Sequence, residues 1–406
     1  MSGWPQSRRE SHRGAIAVRL GLFYAASFLV VGIQLPFWPV WLAGRGLDVQ
    51  EIAAIFAAGI WAKIVATPLV GALADRLGSG RAVMVALAML SLAAYAALWP
   101  LAGFWAILVV NLIAGAAQSA LMPLGDSVTL GAVREYRLDY GRVRLWGSAS
   151  FVLAAIGSGA IVSGGGSSRS GAEAVLVLVV AASAALLLAC IAVPEGGTAV
   201  AARSRWSVLG RLAADRRFWL FVVSAAALQA SHQLYYGFGT LYWRRLGFSD
   251  AVIGLLWAEG VIGEIVLFWY GQRLAARLGP LGLMAAGGVA GIVRWSLIGV
   301  VPGVAAAAAL QVLHAGTFGA SHLGAMYFIA RNVPPGAAAS AQSLYAALSA
   351  GLGSGIVMLA AGALYAAYGG LAYPFMAILS AAGLCGIAVL RCLPRPMEQG
   401  RGGGAG

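Results

Sequence analysis

Charged residues are scarce in this chain of 406 amino acids. Asp, Glu, Lys and Arg together make up 10% of it, while 61% of the residues are hydrophobic. Soluble globular domains typically carry about 25% charged residues. The scarcity of charge therefore excludes a water-soluble globule and predicts an integral membrane protein.

Cysteine and histidine are rare as well. The three cysteines, Cys190, Cys385 and Cys392, fall in or at the ends of apolar stretches without metal-ligand spacing, which argues against a disulfide framework or a zinc site. The chain has neither an H-E-x-x-H motif nor a nucleophile elbow. We therefore expect no metal, no cofactor and no enzymatic activity.

Short segments that contain Gly, Pro or Arg divide the chain into about twelve apolar stretches. Each stretch is long enough to cross a bilayer, since a span needs roughly 20 residues. The longest connection divides them into a bundle over 17–193 and a second over 217–392, with a tail at 1–16, a central loop at 194–216 and a Gly-rich tail at 393–406. The prediction is an all-α protein of two six-helix bundles, with a short surface helix from Ser204 to Arg217. The spans lie near 17–42, 50–73, 81–99, 103–129, 143–163, 172–193, 217–243, 250–271, 280–300, 303–331, 338–362 and 370–392.

The basic residues fall on one side of the membrane. The net charge is +13, but the predicted external segments hold only Arg45, Arg169, Arg244 and Arg245, and every other arginine except the intramembrane Arg294 falls on the other side. This bias follows the positive-inside rule and argues against nucleic-acid binding. It predicts a multi-pass protein of a bacterial inner membrane with both termini in the cytoplasm.

One loop occurs twice. GALADRLGSGR, from Gly71 to Arg81, returns as GQRLAARLGPL, from Gly271 to Leu281, a displacement of 200 residues that places Ala275 where the first copy has Asp75. A repeat of half the chain length between membrane spans indicates a transporter built from two similar halves. Upstream of the loops, Gly46-Leu47-Asp48 corresponds to Gly247-Phe248-Ser249, and in that alignment Lys63 matches Glu264.

Several ionisable residues fall inside the predicted spans. Lys63, the only lysine, and Glu264 each lie about 20 Å below the outer ends of their helices, where a charge normally faces a cavity or a partner. Arg294 lies at a similar depth in the ninth span and needs an acceptor, for which Glu264 is the nearest candidate in chain order. Arg294 and Glu264 could act as a proton-coupled switch. For Lys63 and Glu264 the alternative to lining a cavity is a purely structural ion pair, or groups neutralised by shifted pKa values.

Three histidines are also predicted to lie in the membrane. His232 shares a polar helical face with Gln229, Gln233 and Tyr236, and His314 and His322 fall in the tenth span. A proton relay and ordinary packing both remain open for each histidine. Tyr236 could stack on an aromatic substrate, although many of the aromatic residues suit a membrane interface.

The repeated loop carries a charge pattern suited to gating. Helix ends favour charges of opposite sign, so the arginines of the loop can pair with acids across the inner face in one conformation and release them in another. The expected gating residues are Gly71, Asp75, Arg76, Gly78, Arg81 and Arg277.

The first copy of the loop resembles the helix 2 to helix 3 motif of the major facilitator superfamily. Within it, the spans from about 20 to 392 are similar to the phenylpropionate permease family. The resemblance implies the major facilitator fold, whose two halves rock around a central site. The segments that carry the similarity are LPFWPVWL at 35–42, LDYGRVRLWGS at 138–148, ALQASHQLYYGFGTLYW at 227–243, GIVRWSLIG at 291–299 and LQVLHAGTFGASHLGAM at 310–326.

A more distant resemblance is to the lactose permease. Asp126 and Arg144 match its sugar-contacting acid and arginine, and Glu264, Arg294 and one histidine of the tenth span match its charged set. Its further helix 10 acid, the proton carrier, has no counterpart after His322. The resemblance therefore fixes neither sugar as the substrate nor the same proton path.

These observations predict a secondary transporter that works as a monomer driven by the proton gradient. Its expected partners are protons and a small aromatic carboxylate such as a phenylpropionate. Lys63, Asp126, Arg144, Tyr236 and Arg294 are the expected substrate-binding residues. The expected proton-coupling residues are Glu264, His232, His314 and His322. The alternatives are a sugar or nucleoside symporter and a proton-driven exporter of small hydrophobic compounds.

Overall fold

The computed structural model describes residues 6–165, 168–195, 212, 214–333 and 337–394. Every regular element within those ranges is helical. The helices of the first half are α1 (Gln6–Gly44), α2 (Val49–Leu77), α3 (Gly80–Ala97), α4 (Phe104–Tyr136), α5 (Tyr140–Ser163) and α6 (Ser168–Ala192).

The second half contains three interrupted helices. The seventh is broken into α7a (Arg216–Ala230) and α7b (Gln233–Arg245), and α8 (Asp250–Trp269) and α9 (Gly271–Ile298) follow it. π-Helical segments at Ala315–Ala320 and Ala346–Gly353 join α10a (Val304–Val312) to α10b (Ser321–Asn332) and α11a (Ala338–Tyr345) to α11b (Ser354–Tyr368). The last helix is α12 (Tyr373–Cys392).

The prediction of twelve spans agrees with this helix order. Within the described chain, 10 stretches are long and apolar enough to cross a membrane, and one of them, Ser340–Cys392, is 53 residues long. That stretch contains two crossings, α11 and α12, separated by a short 3₁₀ turn at Gly369–Ala372. The seventh crossing is formed by α7a and α7b, whose 15 and 13 residues are each too few for a span alone.

Helix boundaries differ from the predicted ones in two places. α1 begins at Gln6, so the helix extends into the segment 1–16 that was expected to be a tail. The predicted surface helix Ser204–Arg217 lies mostly outside the described residues, and Arg216 already belongs to α7a.

The ends of α2 show how the sequence sets a helix. The Asp48 carboxylate accepts hydrogen bonds from the backbone N–H groups of Gln50 and Glu51 at 2.8 and 2.9 Å, and the Glu51 side chain accepts one from the Asp48 N–H. These bonds satisfy N–H groups that have no partner within the helix. At the other end Gly78 adopts a left-handed conformation with φ of 65°, which costs glycine little.

The backbone also corrects the register of the internal repeat. The left-handed glycines Gly46 and Gly78 correspond to Gly247 and Gly279, with φ values of 82° and 65° against 84° and 67°. Both pairs are 201 residues apart, so the displacement of 200 was wrong by one at the loop. Asp75 is therefore equivalent to Ala276 rather than Ala275, and Arg76 to Arg277.

The two halves contact each other mainly at one end. We call the end with Gly78 and Gly279 the loop end, and the end with Gly46 and Gly247 the far end. Near the far end, Gly159 of α5 lies against Asp250 and Gly254 of α8, and Gly362 of α11b lies against Ala53 of α2. Small residues permit this close approach of helices in membranes.

The loop-end parts of the tenth and eleventh helices stay within their own half. Among the main contacts of the described chain, α10b and α11a pack only against elements of the second half, and no charged pair joins the two halves there among the described residues. The structure is thus a two-bundle protein whose halves meet at the far end and separate toward the loop end.

Candidate functional site

The break in the seventh helix is stabilised by His232. Nδ1 of His232 lies 3.1 Å from the Leu228 carbonyl oxygen and 3.2 Å from that of Gln229. Carbonyl oxygens only accept, so Nδ1 carries the proton and Nε2 is left as an acceptor. Nε2 lies 3.1 Å from Oγ1 of Thr317 in the π-helical segment of α10, so the imidazole links two interrupted helices.

Arg294 is buried with 0% exposure and is held by neutral groups. One terminal nitrogen donates to Nδ1 of His314 at 2.8 Å and to Oγ1 of Thr317 at 3.2 Å, and the other donates to the Gln311 amide oxygen. The guanidinium carbon also lies 4.7 Å from the Tyr235 ring centre and 4.5 Å from that of Trp295. These contacts replace part of the hydration that a buried cation loses.

His314 connects Arg294 to Glu264. Because Nδ1 of His314 accepts from the guanidinium, Nε2 carries the proton, and it lies 2.9 Å from a carboxylate oxygen of Glu264. The arrangement is a guanidinium, a neutral imidazole and a carboxylate in series. The expected acceptor role of Glu264 toward Arg294 is therefore fulfilled indirectly, with His314 between them.

Glu264 and the neighbouring Glu259 lie in different surroundings. Leu255, Ile262 and Val266 are all exposed and share a helical face with Glu259. Gly260, by contrast, lies against the His314 ring, on the side of Glu264. Glu259 precedes Glu264 by five residues, about 140° around the helix, and thus points away from the Arg294 network.

His322 lies beyond the network on the same side of α10. The rings of His314, Phe318 and His322 stack in succession, with centroids 5.8 and 5.9 Å apart. The i, i+4, i+8 spacing places them on one face. His322 therefore lies next to the network without a hydrogen bond to Arg294 in the structure.

The first half has its own polar cluster, centred on Asp126. Its carboxylate accepts hydrogen bonds from the hydroxyl groups of Tyr24 at 2.5 Å and Tyr140 at 3.0 Å, and it lies 3.9 Å from Arg144. The Arg144 guanidinium also packs over the rings of Tyr24 and Phe28. Asp126 and Arg144 approach each other, although the tyrosines make the shorter contacts.

Lys63 occupies the middle of α2 and is exposed. Trp61 and Ile64 on the same helix pack against Gly355 and Gly351 of the eleventh helix. No acid pairs with Lys63 among the described residues. A cation at this depth that faced lipid would be costly, so Lys63 is best placed beside a water-filled space.

Aromatic rings surround the break in the seventh helix. The Tyr236 ring stacks on His232 at 5.6 Å and lies 6.2 Å from Trp257, and Tyr235 stacks on Trp257 at 4.4 Å. Tyr235 is buried and bonded to Gln311, whereas Tyr236 is only half-buried. Of the two tyrosines, Tyr236 is the one that a ligand can reach.

The gating residues are mostly unpaired in this conformation. Arg81 forms an ion pair of 3.3 Å with Glu195, at the end of the same half. Asp75 and Arg76 are exposed and have no ion-pair partner within the described chain. The predicted pairing across the inner face is therefore not made when the halves are apart at the loop end.

The comparisons with known proteins agree with this architecture. The family model described as "MFS_1 like family" matches residues 17–377. A probable 3-phenylpropionic acid transporter of Escherichia coli is 30% identical over 89% of this chain and 94% of its own length.

The chain belongs to the MFS_1 like family. It is a transporter of the major facilitator superfamily, not an enzyme.

Other members of the superfamily differ in their named substrates. The maltose permease of Geobacillus stearothermophilus is 29% identical over 91% of this chain and 93% of its own length. The crystal structure of the nucleoside transporter NupG matches the fold with a TM-score of 0.82, at 18% identity, over 93% of this chain and 100% of that one.

The sequence did not reveal every residue of this transporter's polar network. Gln311 accepts from Arg294 and donates to the Tyr235 hydroxyl and the Leu256 carbonyl at 2.9 and 2.8 Å. Gln311, His314 and Thr317 lie at intervals of three residues in an apolar span, and this spacing was the available signal. The contacts of Tyr24 with Asp126 carried no such signal, since they join α1 to α4.

Proposed function

We propose that this transporter moves a small organic acid, an aromatic carboxylate such as a phenylpropionate, together with protons by alternating access across a bacterial inner membrane. The observation that carries the proposal is Lys63, a mid-span cation without an acidic partner in the described chain. A monocarboxylate supplies the missing negative charge, and a neutral sugar or nucleoside does not.

The two arginines among the expected substrate-binding residues are less available to a substrate. Arg294 is fully buried and donates to three side chains, and Arg144 already packs on two rings beside Asp126. Lys63 instead makes no ion pair within the described residues, and its ammonium group carries three N–H donors on a flexible stem. We assign the carboxylate to Lys63, and to Arg294 the role of holding the network that responds to protons.

An aromatic ring on the substrate would find a matching surface at Tyr236. Helix α2, which carries Lys63, contacts α7b, which carries Tyr236. Offset or edge-to-face contacts between aromatic rings stabilise binding beyond the area that they bury. A cation on one half and a ring on the other would let one substrate bridge both halves.

Glu264 is the residue that we assign to proton coupling. In its ionised form it accepts from the Nε2–H of His314 and balances Arg294 through that imidazole. Protonation of Glu264 removes this negative charge and leaves Arg294 uncompensated. The network would then favour a different arrangement of α8, α9 and α10, which is how a proton could bias the conformational change.

The test of the substrate is uptake of labelled 3-phenylpropionate into proteoliposomes with an acidic exterior. We expect gradient-dependent accumulation, competition by unlabelled 3-phenylpropionate, and no competition by the neutral 3-phenylpropionamide at the same concentration. Lys63→Gln should lower the apparent affinity at least tenfold, since a charged hydrogen bond is worth about 1.5–3 kcal/mol. Lys63→Arg should retain part of the affinity, because arginine keeps the positive charge.

The competing functions have distinct outcomes in the same vesicles. Uptake of labelled maltose or uridine in place of the acid would favour a sugar or nucleoside symporter, for which the Asp126, Tyr24 and Tyr140 cluster is a suitable polar site. Gradient-driven expulsion of a hydrophobic dye would favour an exporter. Equal affinity of Lys63→Gln and the unaltered protein would remove Lys63 from the site.

Glu264→Gln tests the coupling separately. The amide keeps the size of the side chain and can accept from His314 but cannot ionise, so we expect no accumulation against a gradient while exchange of labelled for unlabelled substrate continues. Glu259→Gln is the matched control on the same helix, because its side chain faces away from the network, and it should accumulate substrate normally. Accumulation by Glu264→Gln at the normal level would refute the assignment.

A further inference from the structure

We infer that a cavity at the loop end of the first half binds the phosphate group of an anionic phospholipid. The cavity has a volume of about 570 Å³ and opens between α1, α3 and α6. Arg19 comes from α1 and Arg81 from the start of α3, while Ile191, Ala192, Val193, Pro194 and Glu195 line it from the end of α6. The inference is independent of the proposed substrate and of proton coupling.

The charged side chains that line the cavity carry a net positive charge, which an anion would balance. Arg19 is exposed and has no acidic partner in the described part of the chain. Arg81 pairs with Glu195 at 3.3 Å, but the Glu195 side chain is 83% exposed, and exposed ion pairs of this kind are weak. Two guanidinium groups thus face one carboxylate, and a phosphodiester with a single negative charge balances them.

Guanidinium groups are well suited to phosphate. Their planar N–H groups form paired, charge-assisted hydrogen bonds to two phosphate oxygens. Arg19 and Arg81 reach the cavity from different helices, so one phosphate could be held from two sides. It would compete with Glu195 for Arg81.

The depth of the cavity matches the level of lipid headgroups. Arg19 precedes Gly44, the far end of α1, by 25 residues, which corresponds to about 37 Å of helix. The hydrocarbon core of a bilayer is about 30 Å thick. Arg81 is the second residue of α3, and α6 ends at Ala192, so all three lining elements reach the same level.

The surroundings favour a lipid over a soluble anion. Apolar side chains line the cavity, and the exposed Leu22 lies about one turn of α1 further toward the middle of the membrane than Arg19. On α6, Leu188 and Ile191 are exposed in the same direction along the helix. These side chains offer a surface for acyl chains directly below the two arginines, which free phosphate would not use.

The test is native mass spectrometry of the full-length protein in detergent, with phosphatidylglycerol or phosphatidylcholine added. We expect more phosphatidylglycerol than phosphatidylcholine to remain bound, and a several-fold loss of bound phosphatidylglycerol in the double variant Arg19→Gln/Arg81→Gln. Arg216→Gln is the matched control, because Arg216 is exposed at the same end but lies outside the cavity. It should bind as much as the unaltered protein.

A second variant distinguishes a loss of lipid binding from a folding defect in the double variant, because it should increase binding rather than decrease it. Glu195→Gln frees Arg81 from its carboxylate and should increase the bound phosphatidylglycerol. The inference would be overturned if Arg216→Gln lost as much bound phosphatidylglycerol as the double variant, or if the two lipids bound equally. It would also be overturned if Glu195→Gln bound no more phosphatidylglycerol than the unaltered protein. Displacement of the lipid by millimolar inorganic phosphate would also overturn it, since the site would then serve a soluble anion.

Discussion

The interior of the second half contains a cation whose acceptors are uncharged. Arg294 donates to His314, Thr317 and Gln311, and Glu264 is reached only through His314. A buried charge without such acceptors is strongly destabilising. The arrangement therefore holds Arg294 in one place while leaving Glu264 at the edge of the network, where a proton can reach it.

Replacing Arg294 with lysine tests this arrangement. Lysine keeps the charge, but its single nitrogen cannot reproduce the fixed fork that reaches three acceptors, so Arg294→Lys should lower the free energy of unfolding by about 2 kcal/mol. The measurement is thermal unfolding in detergent. Arg45→Lys is the control, because Arg45 makes one carboxylate contact of 3.0 Å to Glu173. Equal melting temperatures for Arg294→Lys and Arg45→Lys would contradict the prediction.

The sequence revealed the charged members of this site but not their connections. Lys63, Glu264 and Arg294 were found because charges are rare in membrane spans. The role of His314 between Glu264 and Arg294 depends on which nitrogen faces which neighbour, and that follows from the packing of α8, α9 and α10. Gln311 was missed because a neutral amide in an apolar span gives a weaker signal than a charge.

At the scale of the helices, interruptions coincide with the site. The seventh helix breaks at His232, and the tenth helix becomes π-helical just after His314. Such π-helical segments often occur at functional sites. Hydropathy predicted both spans correctly but could not predict the interruptions, because the apolar pattern continues through them and the bond from His232 to Thr317 joins separate spans.

The contact between α5 and α8 offers a test of how helices close the far end. A Cβ atom at Gly254 would overlap the Ala155 carbonyl oxygen, so Gly254→Val should separate the halves there and bring them together at the loop end. Distances between spin labels at Ser79 and Leu278 should shorten.

Gly157→Val is the control for this change, since a Cβ atom at Gly157 meets nothing within 4 Å. It should leave the label distances unchanged. If Gly254→Val also left them unchanged, the glycine contact would not determine which end is closed.

At the scale of the whole molecule, the repeat supplies two similar halves and the differences between them supply the site. Lys63 and Glu264 are equivalent in the 201-residue register, as are Asp75 and Ala276. The two-bundle fold could be predicted from the repeat and the span count. The separation of the halves at the loop end could not, because both ends of such a carrier must be able to close.

Asp75 provides the last test, because it is exposed and unpaired among the described residues while the loop end is open. We expect it to pair with a basic group when that end closes, so Asp75→Asn should reduce closure at the loop end and slow net transport several-fold. Substrate affinity measured in the conformation described here should not change. Asp139→Asn is the control, since asparagine can still cap α5 at the same end. Equal transport rates for the two variants would show that the unequal charge of the repeated loops does not drive the switch between conformations.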